Sequence, residues 1–317
     1  MKLELPMGAA TGIGLLPGTD IREAVAFTFG ELPDFPYLPE LPARGPGAEM
    51  VGRTAAALLV DIPVELYAGR WQVARRGGAD LRRARDLMER DLDALTEAGD
   101  GFTGTLKIQA AGPWTLSVGL GLLKDHGFVR ELSQSLTEGL TAHVDEVRRR
   151  VPGAQVVLQV DEPSVPAVLA GRVPTESGLH TYRAVDAAVV RSHLSSIVDG
   201  VGTPVVIHCC ASDAPIDLFV EAGAAGVALD VSLAPMDSLG AAIDGGTALF
   251  AGVSGVSGGA GIAGRLRRLW ADLSFPAETL PARVVVTPAC GLAGYSPERA
   301  ATAIKACREA ATRLTEF

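Results

Sequence analysis

Long apolar runs are missing from this chain. Apolar residues make up 48% of its 317 positions, but they are dispersed in short runs, well below the ~18 consecutive apolar residues that a membrane-spanning helix needs. No membrane partner is expected. A basic surplus is missing too: 28 Lys and Arg stand against 37 Asp and Glu, a formal net charge of -9. Nucleic acids and anionic lipid surfaces are bound through positive potential, so neither is an expected partner. Cysteine is scarce. Four cysteines in a chain of this length are too few for a disulfide framework, and two of them, Cys209 and Cys210, are adjacent and poorly placed to pair. The opening residues Met1-Lys2-Leu3-Glu4-Leu5-Pro6 lack the basic start and apolar core of a secretory signal. The expected location is the cytoplasm, where the cysteines are free thiols or metal ligands.

What the chain does have is a regular alternation of two periodicities. Strand-like segments at residues 8–14, 60–66, 105–111, 155–160, 203–208, 226–230, 247–253 and 283–287 are separated by helical patterns. The helical patterns cover residues 21–29, 48–59, 79–98, 126–150, 184–198, 215–222, 237–243, 264–273 and 297–315. Eight strands, each followed by a helix, predict parallel strands joined by right-handed crossovers and closed into a (β/α)8 TIM barrel. The high apolar content suits strands buried on both faces. The whole of 1–317 is expected to be a single domain. Pro33, Pro36, Pro39, Pro42 and Pro46 mark a stretch that cannot be helical, and it is expected to be a loop over one rim of the barrel.

In such barrels the chemistry sits at the C-terminal ends of the strands. The fourth strand ends in Asp161 and Glu162, the fifth in His208 and Cys210, the sixth in Asp230, and the eighth runs into Cys290. Because side chains alternate along a strand, His208 and Cys210 share a face and Cys209 points away. Each residue alone has a plain explanation, since free cysteines are among the most buried residues and single histidines are often part of a core. Their convergence on one rim favours a metal. His208, Cys210, Cys290 and a carboxylate, with Asp230 the first choice, form an N, S and O donor set suited to zinc rather than to a hard cation. Two thiolates and a carboxylate make the metal electron-rich, which suits a substrate thiol held as a thiolate nucleophile better than activation of water. Cys209 and Cys307 are expected to be core. His126, His143, His180 and His193 have no partner motif, and residues 252–264, with Ser254 and Ser257, are expected to form a rim loop.

These motifs resemble the C-terminal catalytic barrel of cobalamin-independent methionine synthase, within the superfamily that also holds uroporphyrinogen decarboxylase. Gly12-Ile13-Gly14-Leu15-Leu16-Pro17-Gly18-Thr19 is similar to the family's N-terminal strand and loop, and Gly112-Pro113-Trp114-Thr115 to its GPVT turn. Asp161-Glu162-Pro163 resembles its DEP motif, His208-Cys209-Cys210 its zinc HxC, and Pro288-Ala289-Cys290-Gly291-Leu292 its PDCGL. The resemblance implies a zinc-dependent methyltransferase with His208, Cys210, Cys290 and Asp230 as ligands. It implies that Asp161 holds the ammonium of a thiol such as homocysteine, with Trp114 and Glu162 beside it in the substrate site, and that Asp161 and Asp230 take part in catalysis. The expected donor is a folate or a methylated corrinoid, and the expected context is methionine biosynthesis. The oligomeric state is open.

There are departures. Leu15 stands where the family has a serine, Gly119 lies where an aromatic stacks on folate, and the family's histidine loop is replaced around Ser254. No counterpart is assigned to a second substrate-binding glutamate, although Glu40 and Glu49 lie in the region. The alternatives are a lyase or decarboxylase of the superfamily, or a zinc-containing protein that binds a corrinoid or thiol without turnover.

Overall fold

Asp20, Asp125, Asp186 and Ser296 each stand one residue ahead of a helix and accept a hydrogen bond from a backbone amide of its first turn. These caps fix where the helices of the computed structural model start, and the structure describes residues 3–254 and 258–316. The first part of the chain holds α1 (Ile21–Glu31), α2 (Met50–Leu58), the hairpin β1 (Val64–Tyr67) and β2 (Arg70–Val73), and α3 (Ala79–Ala98). Strands and helices then alternate: β3 (Thr105–Ala111), α4 (Pro113–Gly119), α5 (His126–Arg150), β4 (Gln155–Asp161), α6 (Val165–Leu169) and α7 (Ala187–Gly200). They continue as β5 (Val205–His208), α8 (Ile216–Glu221), β6 (Gly226–Asp230), α9 (Met236–Asp244) and β7 (Ala248–Val253). The last elements are α10 (Gly259–Asp272), α11 (Leu280–Arg283), β8 (Val284–Pro288) and α12 (Pro297–Leu314). Residues 255–257 of the expected rim loop, Ser257 among them, lie outside the described residues.

Strands β3 to β8 form one parallel sheet in chain order, curled into a half-barrel with helices on its outer side. The class and the parallel sheet agree with the sequence. The first two expected strands differ. Residues 60–66 do not join this sheet: Val64–Tyr67 pairs antiparallel with Arg70–Val73. The cause is the intervening Ala68-Gly69, whose φ values of 48° and 79° make the tight two-residue turn that folds a chain back on itself.

The edge of β3 is met instead by the proline-rich stretch. Leu38 N–H donates to Lys107 O and Lys107 N–H to Pro36 O, each at 3.0 Å. On the opposite edge Thr11 N–H donates to Val286 O at 3.1 Å and Val286 N–H to Ala9 O at 3.0 Å. The two flanking segments also meet: Glu40 N–H donates to Gly14 O and Leu16 N–H to Glu40 O. Prolines are compatible with this role because they hold extended φ, and the amides in use belong to Leu38 and Glu40 on either side of Pro39.

Alternation along the strands builds a layered interior. Ala9, Phe35, Val157, Val206, Ala228, Phe250 and Val285 form a small apolar cluster, separate from the larger core between sheet and helices. Two residues further on, the same faces carry Gln159, His208, Asp230 and Thr287, and Asp161 lies beyond Gln159. The apolar cluster is therefore the floor of the polar site.

The close approach of the chain after α2 to α5 makes a stability prediction. Ser135 Oγ donates to Val60 O at 2.6 Å, and a Cβ added at Gly139 would fall on the carbonyl oxygen of Leu58. Ala normally stabilises a helix over Gly by up to about 1 kcal/mol. At Gly139 the backbone overlap outweighs that gain. Gly139→Ala is expected to lose about 2 kcal/mol in urea unfolding, while Gly264→Ala in α10, which meets nothing nearer than 3.7 Å, gains stability.

Candidate functional site

The register of β4 on β5 sets Asp161 opposite His208. Both side chains are buried, and Asp161 Oδ1 lies 2.8 Å from His208 Nδ1. The same oxygen accepts from Gln159 Nε2 at 2.7 Å. A carboxylate oxygen accepts here, so Nδ1 is the donor, and in the neutral imidazole Nε2 then keeps its lone pair. Nε2 is buried and has no hydrogen-bond partner among the described residues. An unpartnered buried nitrogen is costly, and the Asp161 contact fixes the orientation of this one.

Beyond His208 the chain stays extended for one more residue, with Cys209 N–H donating to Ala228 O at 3.0 Å. Cys209 is buried in the outer core, and burial pushes its thiol up to about 12. Cys307 on α12 is pushed to the same value by the same cause. Cys210 Sγ lies 3.5 Å from Cys290 Sγ. Cys290 is held there by the loop after β8, where Ala289 N–H donates to Val253 O and Leu292 N–H to Leu15 O. Either thiol can donate to the other across this contact. The hydrogen bond pushes Cys290 down to about 6 and, together with burial, pushes Cys210 up.

Asp230 ends β6 on the same rim, but serines claim both of its oxygens. Oδ1 accepts from Ser232 N–H at 2.9 Å and Ser232 Oγ at 2.6 Å, and Oδ2 accepts from Ser254 Oγ at 2.8 Å. The expected residues thus include two close pairs, Asp161 with His208 and Cys210 with Cys290, while Asp230 bonds to Ser232 and Ser254 and lines the same cavity as Cys290. Among the described residues no three His, Cys, Asp or Glu side chains are gathered tightly enough to hold a metal ion.

Two expected substrate contacts have other work. Glu162 is fully buried: it accepts from Trp114 N–H at 3.0 Å, and from Thr115 N–H at 2.8 Å and Thr115 Oγ at 2.7 Å. It caps the start of α4, and burial pushes its carboxyl up to about 7. Trp114 is enclosed as well, with its indole N–H donating to Val190 O and its ring edge-on to His193. Neither exposes surface in this structure, and both are held by hydrogen bonds within the fold.

The sequence reading also missed residues. Glu40, buried, accepts from Gln109 Nε2 at 3.0 Å with the Arg53 guanidinium 3.9 Å away, and burial pushes it up to about 7. Lys107 donates to Ile13 O at 3.0 Å and to Gln109 Oε1 at 3.3 Å, and burial pushes its ammonium down to about 7. Lys107 and Gln109 at alternate positions of an otherwise apolar strand were the available signal that β3 has a polar inner face.

A curled parallel sheet that presents thiols, an anchored imidazole and carboxylates on one rim defines an α/β enzyme whose chemistry is carried by its strand-end loops. Residues 111–313 match the family described as "Cobalamin-independent synthase, Catalytic domain". The fold is similar to that of a B12-independent methionine synthase from Shewanella sp. W3-18-1, solved in complex with selenomethionine. The two share 12% identity over 98% of each chain, with a TM-score of 0.65. A methyltransferase from Methanosarcina mazei is similar at 15% identity over 97% of this chain and 94% of that one, with a TM-score of 0.51. At these identities the likenesses speak to the fold alone. No curated protein matches the chain in sequence. The chain belongs to the cobalamin-independent synthase catalytic-domain family, and with the family comes its class, an enzyme of the methyltransferase type.

The thiol pair is open to a chemical test. Only a thiolate is alkylated, and Cys290 is exposed and ionises near 6, whereas Cys209 and Cys307 are buried and protonated. In metal-free protein, limiting iodoacetamide should label Cys290 first. Its rate should rise through about pH 6 and level off by about pH 7, whereas an ordinary thiol keeps accelerating towards pH 9. Peptide mapping across that range measures both.

Proposed function

We propose that this chain is a zinc-dependent methyltransferase that transfers a methyl group to the sulfur of a small thiol, homocysteine or a related compound. The observation that carries the proposal is the Cys210–Cys290 pair on the same rim as an imidazole whose Nδ1 is fixed by Asp161 and whose buried Nε2 is unpartnered among the described residues. That donor set fits zinc in chemistry: two soft sulfurs and one neutral nitrogen. His208, Cys210 and Cys290 would hold the metal, and a bound zinc would supply the Lewis acidity that favours a thiolate at neutral pH.

The chain's own residues do the rest. Asp161 selects the His208 tautomer and orients the ring, which keeps Nε2 basic. Its second oxygen, Oδ2, has no partner among the described residues, and it is the atom we assign to a substrate ammonium. Glu40 stands on the neighbouring segment and would add a second carboxylate to that subsite. Asp230 would join the metal set only by giving up Ser232 and Ser254, so it serves better as the group that ties the β6 and β7 loops together. The methyl donor would be a folate or a methylated corrinoid.

The same proposal includes the frame. Hydrogen bonds from residues 9–16 and 36–40 reach both edges of the half-barrel and each other, which supports a closed (β/α)8 ring and one domain over 1–317.

Metal analysis tests the metal centre. Purified protein should hold about one zinc per chain. His208→Ala, Cys210→Ala and Cys290→Ala should each abolish stoichiometric binding, Asp161→Asn should weaken it about 10- to 100-fold, and Asp230→Asn should leave it nearly intact. Zinc well below one per chain, unrestored by added zinc, would sink the proposal.

A further inference from the structure

Lys107 is a cation with no exposed surface, on a strand whose every residue is buried. Among the described residues its ammonium bonds to neutral groups alone. It donates to Ile13 O at 3.0 Å and to Gln109 Oε1 at 3.3 Å, and it lies 5.2 Å from the centre of the Tyr37 ring. A buried charge with no carboxylate in contact costs stability, and an apolar side chain of similar length would cost less. Packing therefore does not account for it.

What the ammonium does is orient two links to carboxylates. Gln109 Nε2 commits both of its N–H groups, to Leu38 O at 2.7 Å and to Glu40 Oε1 at 3.0 Å. Gln159 Nε2 commits both of its own, to Ile13 O and to Asp161 Oδ1, each at 2.7 Å. Lys107 holds the other end of each link: the Gln109 oxygen, and the Ile13 carbonyl that it shares with Gln159. A reversed Gln109 amide would set its NH2 against an ammonium and its oxygen against a carboxylate, so the cation admits one orientation. The fit leaves little play. A Cβ at Gly14 would come within 2.9 Å of Gln109 Cγ, and Glu40 N–H donates to Gly14 O at 3.0 Å.

Charge acts in the same direction. Glu40 faces Arg53 from α2, Gln109 and Lys107 from β3, and Asp161 from β4. Burial pushes its carboxyl up to about 7 and Asp161 adds to that rise, while Arg53, Gln109 and Lys107 oppose it. Lys107 is itself pushed down to about 7 by burial, against the pull of Asp161 and Glu40. Removing its charge leaves Glu40 with one opposing cation fewer, so Glu40 then ionises at higher pH.

We propose that Lys107 is a positioning residue for the acceptor site: it fixes Glu40 relative to Asp161 and supplies the positive charge that lets the two carboxylates act together on one ammonium. The inference rests on the function proposed above for that ammonium, and it adds a residue that touches neither metal nor acceptor.

Calorimetry on the zinc-loaded protein tests it with 3-amino-1-propanethiol and 3-mercapto-1-propanol, which differ in the ammonium. The unmodified protein is expected to bind the amine about tenfold or more tightly, as a charge-assisted contact implies, with the preference growing as pH rises through about 7 and Glu40 ionises. In Lys107→Met the preference should fall about tenfold at pH 7, while the alcohol binds as before and the zinc content is unchanged. Lys107→Gln keeps a donor but no charge, so it should regain the preference at a higher pH than the unmodified protein needs. That shift decides the matter even where Lys107→Met does not fold. An equal loss of both thiols in Lys107→Gln, or a preference that keeps its size and pH dependence there, would overturn the proposal. The two levels separate. If the unmodified protein shows no preference for the amine, the ammonium site of the proposed function fails and the role of Lys107 falls with it. If the preference exists and is lost in Glu40→Gln but not in the Lys107 variants, the role of Lys107 alone fails.

Discussion

Everything at this rim depends on the pairing of Asp161 with His208 across β4 and β5. In a sheet with side chains of period two, a slip of one residue would turn His208 outward and Cys209 inward. The apolar floor prevents that slip. Val157 and Val206 lie on the inner faces of the same strands, packed with Phe35 and Phe250, so the register that buries them also brings the imidazole to the carboxylate. Fold and site are set by one constraint.

The polar layer above that floor is heavily cross-linked. Gln159 ties Asp161 to Ile13 O, Lys107 reaches the same carbonyl, and Gln109 bridges Lys107 to Glu40. Behind it Asp91, fully buried, receives both Arg44 and Arg53. Buried ionic groups contribute little net stability when paired and cost several kcal/mol when a partner is removed. Their effect here is on position: they hold the N-terminal segments against β3 and keep Glu40 directed towards the strand ends.

Much of this was legible in the sequence. The helices α3 and α5 and the strands β3 and β6 have the boundaries their periodicity indicates, and alternation alone separates Cys209 from His208. The failures have local causes. Residues 60–66 have a strand's composition but are followed by Ala68-Gly69, whose turn folds them into a hairpin. The stretch from Pro36 to Glu40 has no alternation to read, because proline hides it, yet it lies along β3 and delivers Glu40. Trp114 and Glu162 belong to a recognisable motif, but nothing in a motif says whether its side chains face a ligand or cap a helix. The bond from Ser254 to Asp230 was illegible for a related reason: Ser254 comes from a different loop.

X-ray absorption at the zinc edge reads directly the atoms that would surround a metal at this rim. The zinc-loaded protein should show two sulfurs at about 2.3 Å and one imidazole nitrogen at about 2.0–2.1 Å, with one more sulfur on addition of a thiol acceptor. A shell of oxygens and nitrogens without sulfur, or one unchanged by the thiol, would contradict it.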